Sequence, residues 1–550
     1  MSRPPKPDPT ARHLTGLAPL AGLPVGARRA IGAALLAVFV GALDLTVIAT
    51  ILPRMVADLE INTADIDRYV WIVNGYLLAY IVAIPLVGRL SDLVGRQRVF
   101  AGSLAIFLAG SVWCALSDSL PGLIAGRVIQ GIGGGALLPV TMALVGDLLP
   151  PRRRAGALGL VGAVDTLGWV LGPLWGAAVV ALAPGAEPWR WVFFVNVPLG
   201  LLALFAIRRT GRAETLPEPP GNRPPPAPTG GWLDRLDLVG AALLTVSLLA
   251  LNLGLSAGGE IGAAEGGGRA LGGTRNPLAD YSLTLIAAAL VMLALFVGWE
   301  RRVRHPLLPL ALFRRPRFGA AIAANFVVGA ALIVAMVDVP VVVALLVDPG
   351  QASTVTAVMM APFTLLMAAL SLGGGAFVVS RGERWVAIAG LLLVAIGYAL
   401  LWVGLRSGNY FGMVPGLALA GAGFGLVVAP IGATTINAAS PADRGIAAAL
   451  TLVFRLLGMT VGISSLTALG VNRLQGLVGN LEEIVQLPGE TTAEFFARQS
   501  AFLYETVIPV SLRVVRETFL IAGAIALLAL LPVWLIGASS RREEAEAGHG

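Results

Sequence analysis

Fourteen apolar stretches, each about 20 residues long and bounded by charges, run through this chain and decide what it can fold into. Their limits are 30–52, 69–88, 98–116, 121–146, 155–182, 190–207, 236–256, 280–299, 317–340, 353–379, 385–404, 411–436, 444–471 and 514–537. Inside lipid the backbone finds no water, so each stretch has to satisfy its own N–H and C=O groups as a helix. An all-α integral membrane protein with 14 transmembrane helices is expected. The composition agrees: of 550 residues 56% are apolar and only 13% charged, which excludes a soluble multidomain enzyme, a disordered chain and a collagen-like repeat. The first stretch is too long for a signal peptide, carries Asp44 and lacks a small-residue cleavage motif, so it reads as a retained helix.

An even number of spans places both termini on one side. With the N-terminus inside, the tail to Arg29, the loops at 89–98, 152–154, 208–235, 301–317, 381–384 and 437–444, and the C-terminus hold 27 of the 39 basic residues. The opposite side holds ten, and Arg127 and Arg455 lie within spans. Basic residues collect on the cytoplasmic side of membrane proteins, so both termini are expected there. The loop 208–235 is Pro-rich and reads as a linker, and the outer loop 257–279 is rich in Gly and Ala. The outer segment 472–513 is too polar to span and too apolar for a plain loop. Either the flanking spans continue beyond the membrane and pack on each other, or the segment lies at the interface against lipid.

Several chemistries are closed to this chain. All its basic residues except Lys6 are arginines, so it has no lysine for a phosphate-binding P-loop and is not an ATPase by itself. A single cysteine, Cys114, allows no internal disulfide and no cysteine-based metal site. His13, His305 and His549 lie in polar segments, which leaves no histidine at membrane depth for an intramembrane hydrolase. No enzyme activity, metal, cofactor or nucleic-acid partner is expected.

The loop after the second span reads Gly88-Arg-Leu-Ser-Asp92-Leu-Val-Gly95-Arg96-Gln-Arg98. It resembles the signature of the major facilitator superfamily. Two further matches follow in order: Arg127-Val-Ile-Gln130-Gly131-Ile-Gly133 in the fourth span, and Gly168-Trp-Val-Leu-Gly172-Pro173-Leu-Trp-Gly176, similar to the antiporter motif of exporters, in the fifth. Fourteen spans, with Leu43-Asp44, Trp189 to Pro198 around Asn196, and Trp299-Glu300 before Pro306-Leu-Leu-Pro309, resemble the fourteen-helix drug:proton antiporters. Asp44, Asp165, Val337-Asp338-Val339, Gly445-Ile-Ala and Arg455 are similar to the actinobacterial exporters of triacylglycerides and drugs. One departure stands out: in the second-half repeat of the loop motif, Gly375 to Arg384, Val379 stands where an acid would. The lock on the cytoplasmic side is therefore expected to be one-sided and to rest on Asp92.

The resemblance implies two six-helix bundles, 30–207 and 317–537, with two inserted helices at 236–299. A tail 1–29, a linker 208–235, a loop 300–316 and a tail 538–550 lie in the cytoplasm of a bacterial inner (plasma) membrane. It also implies proton-driven export of lipids such as triacylglycerides, or of drugs, by alternating access. An outer lipid-carrier protein is a candidate recipient of the cargo. A passive scramblase is the rival of another class, and it would need no intramembrane acid.

Four charges remain at membrane depth. Asp44 lies about 20 Å from the inner end of its span at the helical rise. A carboxylate there has to face water, pair with a cation or carry a proton, so it is read as the coupling site, with a permanent ion pair as the alternative. Arg127 is positioned to bias it, or to bond only to carbonyls and glutamine. Asp165 and Arg455 are candidates for a pair that makes and breaks during transport, or for separate structural partners. Asp338 is expected at the outer interface. At the inner gate, Asp92 is expected to cap the span beginning at Arg444, while Arg96 or Arg98 reaches Asp147. Gly131/Gly135, Gly168/Gly172/Gly176, Gly421/Gly425 and Gly458/Gly462 allow close helix approach.

Overall fold

The computed structural model describes residues 23–59, 71–185, 187–209, 237–263, 279–303, 306–347, 349–405, 410–478 and 491–536. Nearly all of the linker 208–235, most of the outer loop 257–279, the middle of the outer segment, the tail 538–550 and the first 22 residues lie outside the described residues. Inner and outer refer below to the orientation that the arginine distribution predicts.

The helices are α1 (Val25–Asp58), α2 (Trp71–Val94), α3 (Arg96–Leu116), α4 (Leu120–Leu148), α5 (Pro151–Leu182), α6 (Arg190–Arg209), α7 (Leu238–Ala263), α8 (Ser282–Glu300), α9 (Pro316–Leu346), α10 (Pro349–Arg381), α11 (Glu383–Gly404), α12 (Val414–Ala438), α13 (Arg444–Val478), α14 (Thr492–Phe502), α15 (Ile508–Leu528) and α16 (Leu530–Ile536). Thirteen segments are long and apolar enough to cross a membrane as they stand. The fourteenth, α5, bends by 49° between Trp169 and Leu174. Pro173 lies in that break, and a residue without an N–H leaves the helix free to bend there.

The packing repeats itself. In the first half α1 packs on α4, α5 and α6, and α4 packs on α2 and α3; in the second half α9 packs on α12, α13 and α15, and α12 packs on α10 and α11. The two halves meet crosswise, α5 against α10 and α12, α13 against α2 and α4. Ile84, Phe100, Leu104 and Phe107 belong to a core that runs from the first half into Ile436, Ile446 and Leu450 of the second, while Phe363, Leu391, Tyr398 and Phe519 belong to a core within the second half. Leu201, Leu202 and Phe205 of α6 and Leu392 and Ile396 of α11 stay exposed on the outside of the bundles, where lipid would cover them.

The inserted α7 and α8 form a hairpin joined by Ser247 Oγ donating to the Ala289 carbonyl and Ser282 Oγ donating to the Gly254 carbonyl, both at 2.9 Å. Its α7 face lies on α13, where Ser464 Oγ donates to the Leu255 carbonyl at 2.9 Å. At its inner end Trp299 Nε1 donates to Asp237, and Glu300 accepts the backbone N–H groups of Leu307 and Leu308.

On the outer side α13 continues past the apolar stretch to Val478. At 35 residues it is about 52 Å long, well beyond a hydrocarbon core of about 30 Å. A π-helical turn, Leu503–Val507, joins α14 to α15. Arg473 Nε pairs with Glu517 at 3.0 Å across α13 and α15, so over the described residues the two spans extend outward and pack on each other.

Candidate functional site

Among the described residues, three polar clusters gather most of the charged residues that the sequence singles out. The outermost is sealed inside the first bundle. Asp44 Oδ2 accepts from Arg127 Nη1 at 2.6 Å, and its Oδ1 accepts from Gln130 Nε2 and Asn196 Nδ2, both at 2.8 Å. Arg127 Nη1 also reaches Gln130 Oε1 at 2.6 Å, its Nε donates to the Ile72 carbonyl at 3.3 Å, and its guanidinium lies 4.1 Å from the centre of the Tyr76 ring. Gln130 Nε2 bonds Ser111 Oγ at 2.8 Å. Asp44 and Arg127 are each 1% exposed. Every group aimed at the carboxyl oxygens is a donor, the set that suits an ionised carboxylate. Arg127 thus pairs with Asp44 directly as well as bonding a carbonyl and a glutamine, and Asp44 is shut away from the central cavity.

The antiporter-like glycines build the floor of this cluster. A Cβ at Gly168 would sit 2.9 Å from the Phe39 carbonyl, one at Gly172 2.9 Å from the Leu43 carbonyl, and one at Gly176 2.7 Å from Val47. Their bare backbones let α5 lie directly on the α1 segment that carries Asp44, and Thr46 Oγ1 donates to the Trp169 carbonyl at 3.0 Å. Pro173 contributes the bend described above.

The second cluster joins the bundles at mid-depth. Arg455 of α13 faces Asp165 of α5 at 3.6 Å, and both line a cavity of about 50 Å³. Apolar residues make most of its wall, among them Leu138, Met142, Val328, Met367 and Phe424, while Asn325 Nδ2 donates to the Thr451 carbonyl at 2.5 Å on the same wall. That volume holds a few waters and is far too small for a long-chain lipid.

The third cluster closes the inner end. Asp92 accepts from the backbone N–H of Gly445 at 2.9 Å and of Ile446 at 3.0 Å, which places a carboxylate on the positive end of α13. Arg96 bridges to Asp92, and its Nε bonds Asp147 at 3.0 Å. Arg444 Nη1 bonds the other oxygen of Asp147 at 3.0 Å, and Arg89 pairs with Asp443 at 3.5 Å. Arg98 is exposed, so Arg96 is the arginine that reaches Asp147. A Cβ at Gly88 would stand 2.6 Å from the Ala449 Cβ, and Gly95 turns the chain at φ 104°, a conformation that suits glycine.

The expectation of a one-sided lock is corrected here. Gly382 repeats the Gly95 turn at φ 85°, and Gly375 presses on the Gly156 backbone as Gly88 presses on Gly445. Val379 indeed supplies no carboxylate. In its place Arg154 Nη1 of α5 bonds Asn437 Oδ1 at 2.9 Å, and Asn437 and Thr434 donate to Glu383 at 3.3 and 2.8 Å. Scanning for an acid at the motif position missed Glu383, which lies one residue after the repeat's glycine turn. Asp338, expected at the outer interface, accepts a hydrogen bond from Thr518 of α15.

A sequence model described as Major Facilitator Superfamily matches residues 34–463. The chain belongs to the major facilitator superfamily. It is therefore a multi-pass membrane transporter rather than an enzyme. A protein of Mycobacterium tuberculosis named as a triacylglyceride transporter is 39% identical over 475 residues, 84% of this chain and 86% of that one. Another so named, from Mycolicibacterium hassiacum, is 36% identical over 529 residues, 94% of this chain and 93% of its own. Among solved structures, a human organic anion transporter covers 93% of this chain and 100% of its own at a TM-score of 0.56 and 16% identity. A proton:xylose symporter of the superfamily covers 92% and 95% at 0.55 and 15%. At those identities the likeness concerns the fold alone.

The inner cluster ties the end of α2 to the start of α13 across the two halves, and its carboxylate offers two acceptors where an amide offers one. Asp92→Asn keeps one acceptor and turns an N–H toward the α13 backbone, and charged hydrogen bonds of this kind contribute about 1.5–3 kcal/mol each. Transport by Asp92→Asn is expected to fall severalfold with expression intact, measured as uptake per molecule reconstituted; wild-type transport by a well-expressed variant would remove Asp92 from the gate.

Proposed function

We propose that this chain is a proton-coupled exporter of hydrophobic or amphiphilic molecules, with triacylglyceride-like lipids as first candidates, working by alternating access in a bacterial inner membrane with both termini cytoplasmic. Relatives aligned over most of their length are named triacylglyceride transporters, which supports the lipid class. The observation that carries the coupling is Asp44, a carboxylate at membrane depth held by three donors that one added proton would disturb. Asp165 and Arg455 bridge the bundles at the cavity, so a rocking motion has to part them. At a membrane potential of about 100 mV each inward proton contributes about 2.3 kcal/mol. The exported lipid passes to an outer acceptor, for which a lipid-carrier protein is the candidate.

A general drug antiporter is the second reading, favoured by a cavity wall of Met142, Met367 and Phe424 that can repack around unlike ligands. Proteoliposomes tested in parallel with a fluorescent triacylglyceride and a cationic dye separate the two. Wild-type export should follow an imposed proton gradient, and Asp44→Asn should abolish that dependence. Export indifferent both to the gradient and to Asp44→Asn would leave a passive scramblase; dye export without lipid export would leave the drug antiporter.

A further inference from the structure

Asp44 and the cavity pair are separate. The acid sits inside the first bundle behind Arg127, Gln130 and Asn196, while Asp165 and Arg455 line the space between bundles. A proton that reaches Asp44 from the cavity needs a path through the wall between them. Tyr76 of α2 lies against Arg127 of the Asp44 cluster, and Tyr80 follows one turn inward. Tyr76 and Tyr80 are one turn apart with stacked rings, 5.8 Å between centroids. Tyr76 lies 18 residues from Val94 and Asp44 19 residues from Val25, so they share a depth, while Tyr80 and Asp165 both lie 14 residues from the inner ends of their helices.

The Arg127 contact and the electrostatics of the two rings support this placement. Arg127 covers the Tyr76 ring, and Tyr76 lies within electrostatic range of Asp44, of Tyr80 and of Asp165. Tyr80 lies within range of Asp165 and of Arg455. The Tyr76 hydroxyl is buried, yet no side chain or backbone group among the described residues bonds to it. It points at Gly134, where a Cβ would approach to 2.8 Å, one turn along α4 from the Gln130 that holds Asp44. A buried hydroxyl normally finds a partner, and one left free by the protein is available to water. The charged and titratable groups facing the pair are Asp44 from α1, Arg127 from α4, Asp165 from α5 and Arg455 from α13.

We propose that the Tyr76 hydroxyl, with Tyr80 one turn inward and water between them, carries the proton between the cavity and Asp44. The hydroxyl takes a proton from the cavity side on a lone pair as its own O–H proton passes to Asp44. One proton enters, one leaves, the ring C–O bond stays intact, and rotation of the O–H restores the relay. Protonated Asp44 then no longer offers two anionic oxygens to Arg127, Gln130 and Asn196, and the cluster loosens.

This rests on the proton-coupled reading above, and the test separates the two. Tyr76→Phe keeps the ring under Arg127 and removes only the hydroxyl. In full-length protein in proteoliposomes, with a fluorescent triacylglyceride as probe, the ratio of gradient-driven export to gradient-free exchange should fall at least about tenfold, within the range for a lost proton-transfer group. Tyr80→Phe should lower it in the same direction, and the unfolding temperature of both variants should stay at the wild-type value. An unchanged ratio in Tyr76→Phe, while Asp44→Asn removes gradient dependence, overturns the relay and leaves the coupling reading standing. An equal loss of driven export and exchange overturns it too, since that marks a packing role. Gradient dependence surviving Asp44→Asn overturns both.

Discussion

Arg127→Ala is expected to lower the stability of the folded protein by about 3–5 kcal/mol, the usual cost of removing one member of a buried ion pair. Arg127 and Asp44 are both sealed at 1% exposure, so the alanine leaves a carboxylate in an apolar bundle with only two amides to satisfy it. The lost guanidinium also frees the Ile72 carbonyl and uncovers Tyr76. Asp44→Asn in the same chain removes the orphaned charge, so the double variant should recover much of the loss and stand closer to wild type than Arg127→Ala alone. Arg127→Lys should fall between, because an ammonium cannot reach Asp44, Gln130 and the Ile72 carbonyl together. Denaturant unfolding in micelles, run as a double-mutant cycle, reads these differences; additive losses would mean that the two residues do not act as a pair.

The spans were legible because lipid imposes one demand, a hydrogen-bonded helix long enough to cross, and hydropathy records it directly. Their ends were less so. Helices continue past the apolar run wherever polar residues still favour them, so α1 begins at Val25 rather than 30 and α13 reaches Val478 rather than 471. The contact of Asp92 with the start of α13 was readable, since an acid beside a glycine turn at a helix junction suits the capping of a helix N-terminus. Its second-half counterpart was not, because Glu383, Asn437 and Arg154 come from three helices and follow no spacing. The same holds for the partners of Asp44: Gln130 and Asn196 stood in quoted motifs, yet only folding brings them 86 and 152 residues across the chain to one carboxylate. Tyr76 carried no signal at all, as tyrosines such as Tyr69, Tyr76 and Tyr80 are ordinary in an apolar span.

Arg455→Ala is the variant expected to move the conformational equilibrium most. Its partner Asp165 belongs to the other bundle, and the pair lies at mid-depth, about 16 Å along α13 from the inner cluster, so it contributes to closure without sealing the inner end. The two side chains keep 19% and 12% of their surface and stand 3.6 Å apart, which limits their contribution to about 1–2 kcal/mol, well short of a dry contact. In a two-state transporter that free energy changes the ratio of inner-closed to inner-open molecules by a factor of about 5–30. Spin labels at 209 and 381, the inner ends of α6 and α10, read that ratio as a distance distribution once Cys114 is replaced by serine. The population with the longer separation should grow by that factor, and gradient-driven export should fall at least about tenfold, because a pair that no longer re-forms cannot return the carrier to its starting state. A lone Asp165→Asn should shift the distribution the same way, since each variant deletes the same attraction. If the distances stay fixed while export still falls, Arg455 serves the substrate rather than the switch, and the bundles are held shut by the inner contacts of Asp92, Arg96 and Asp147 and of Arg154 with Asn437.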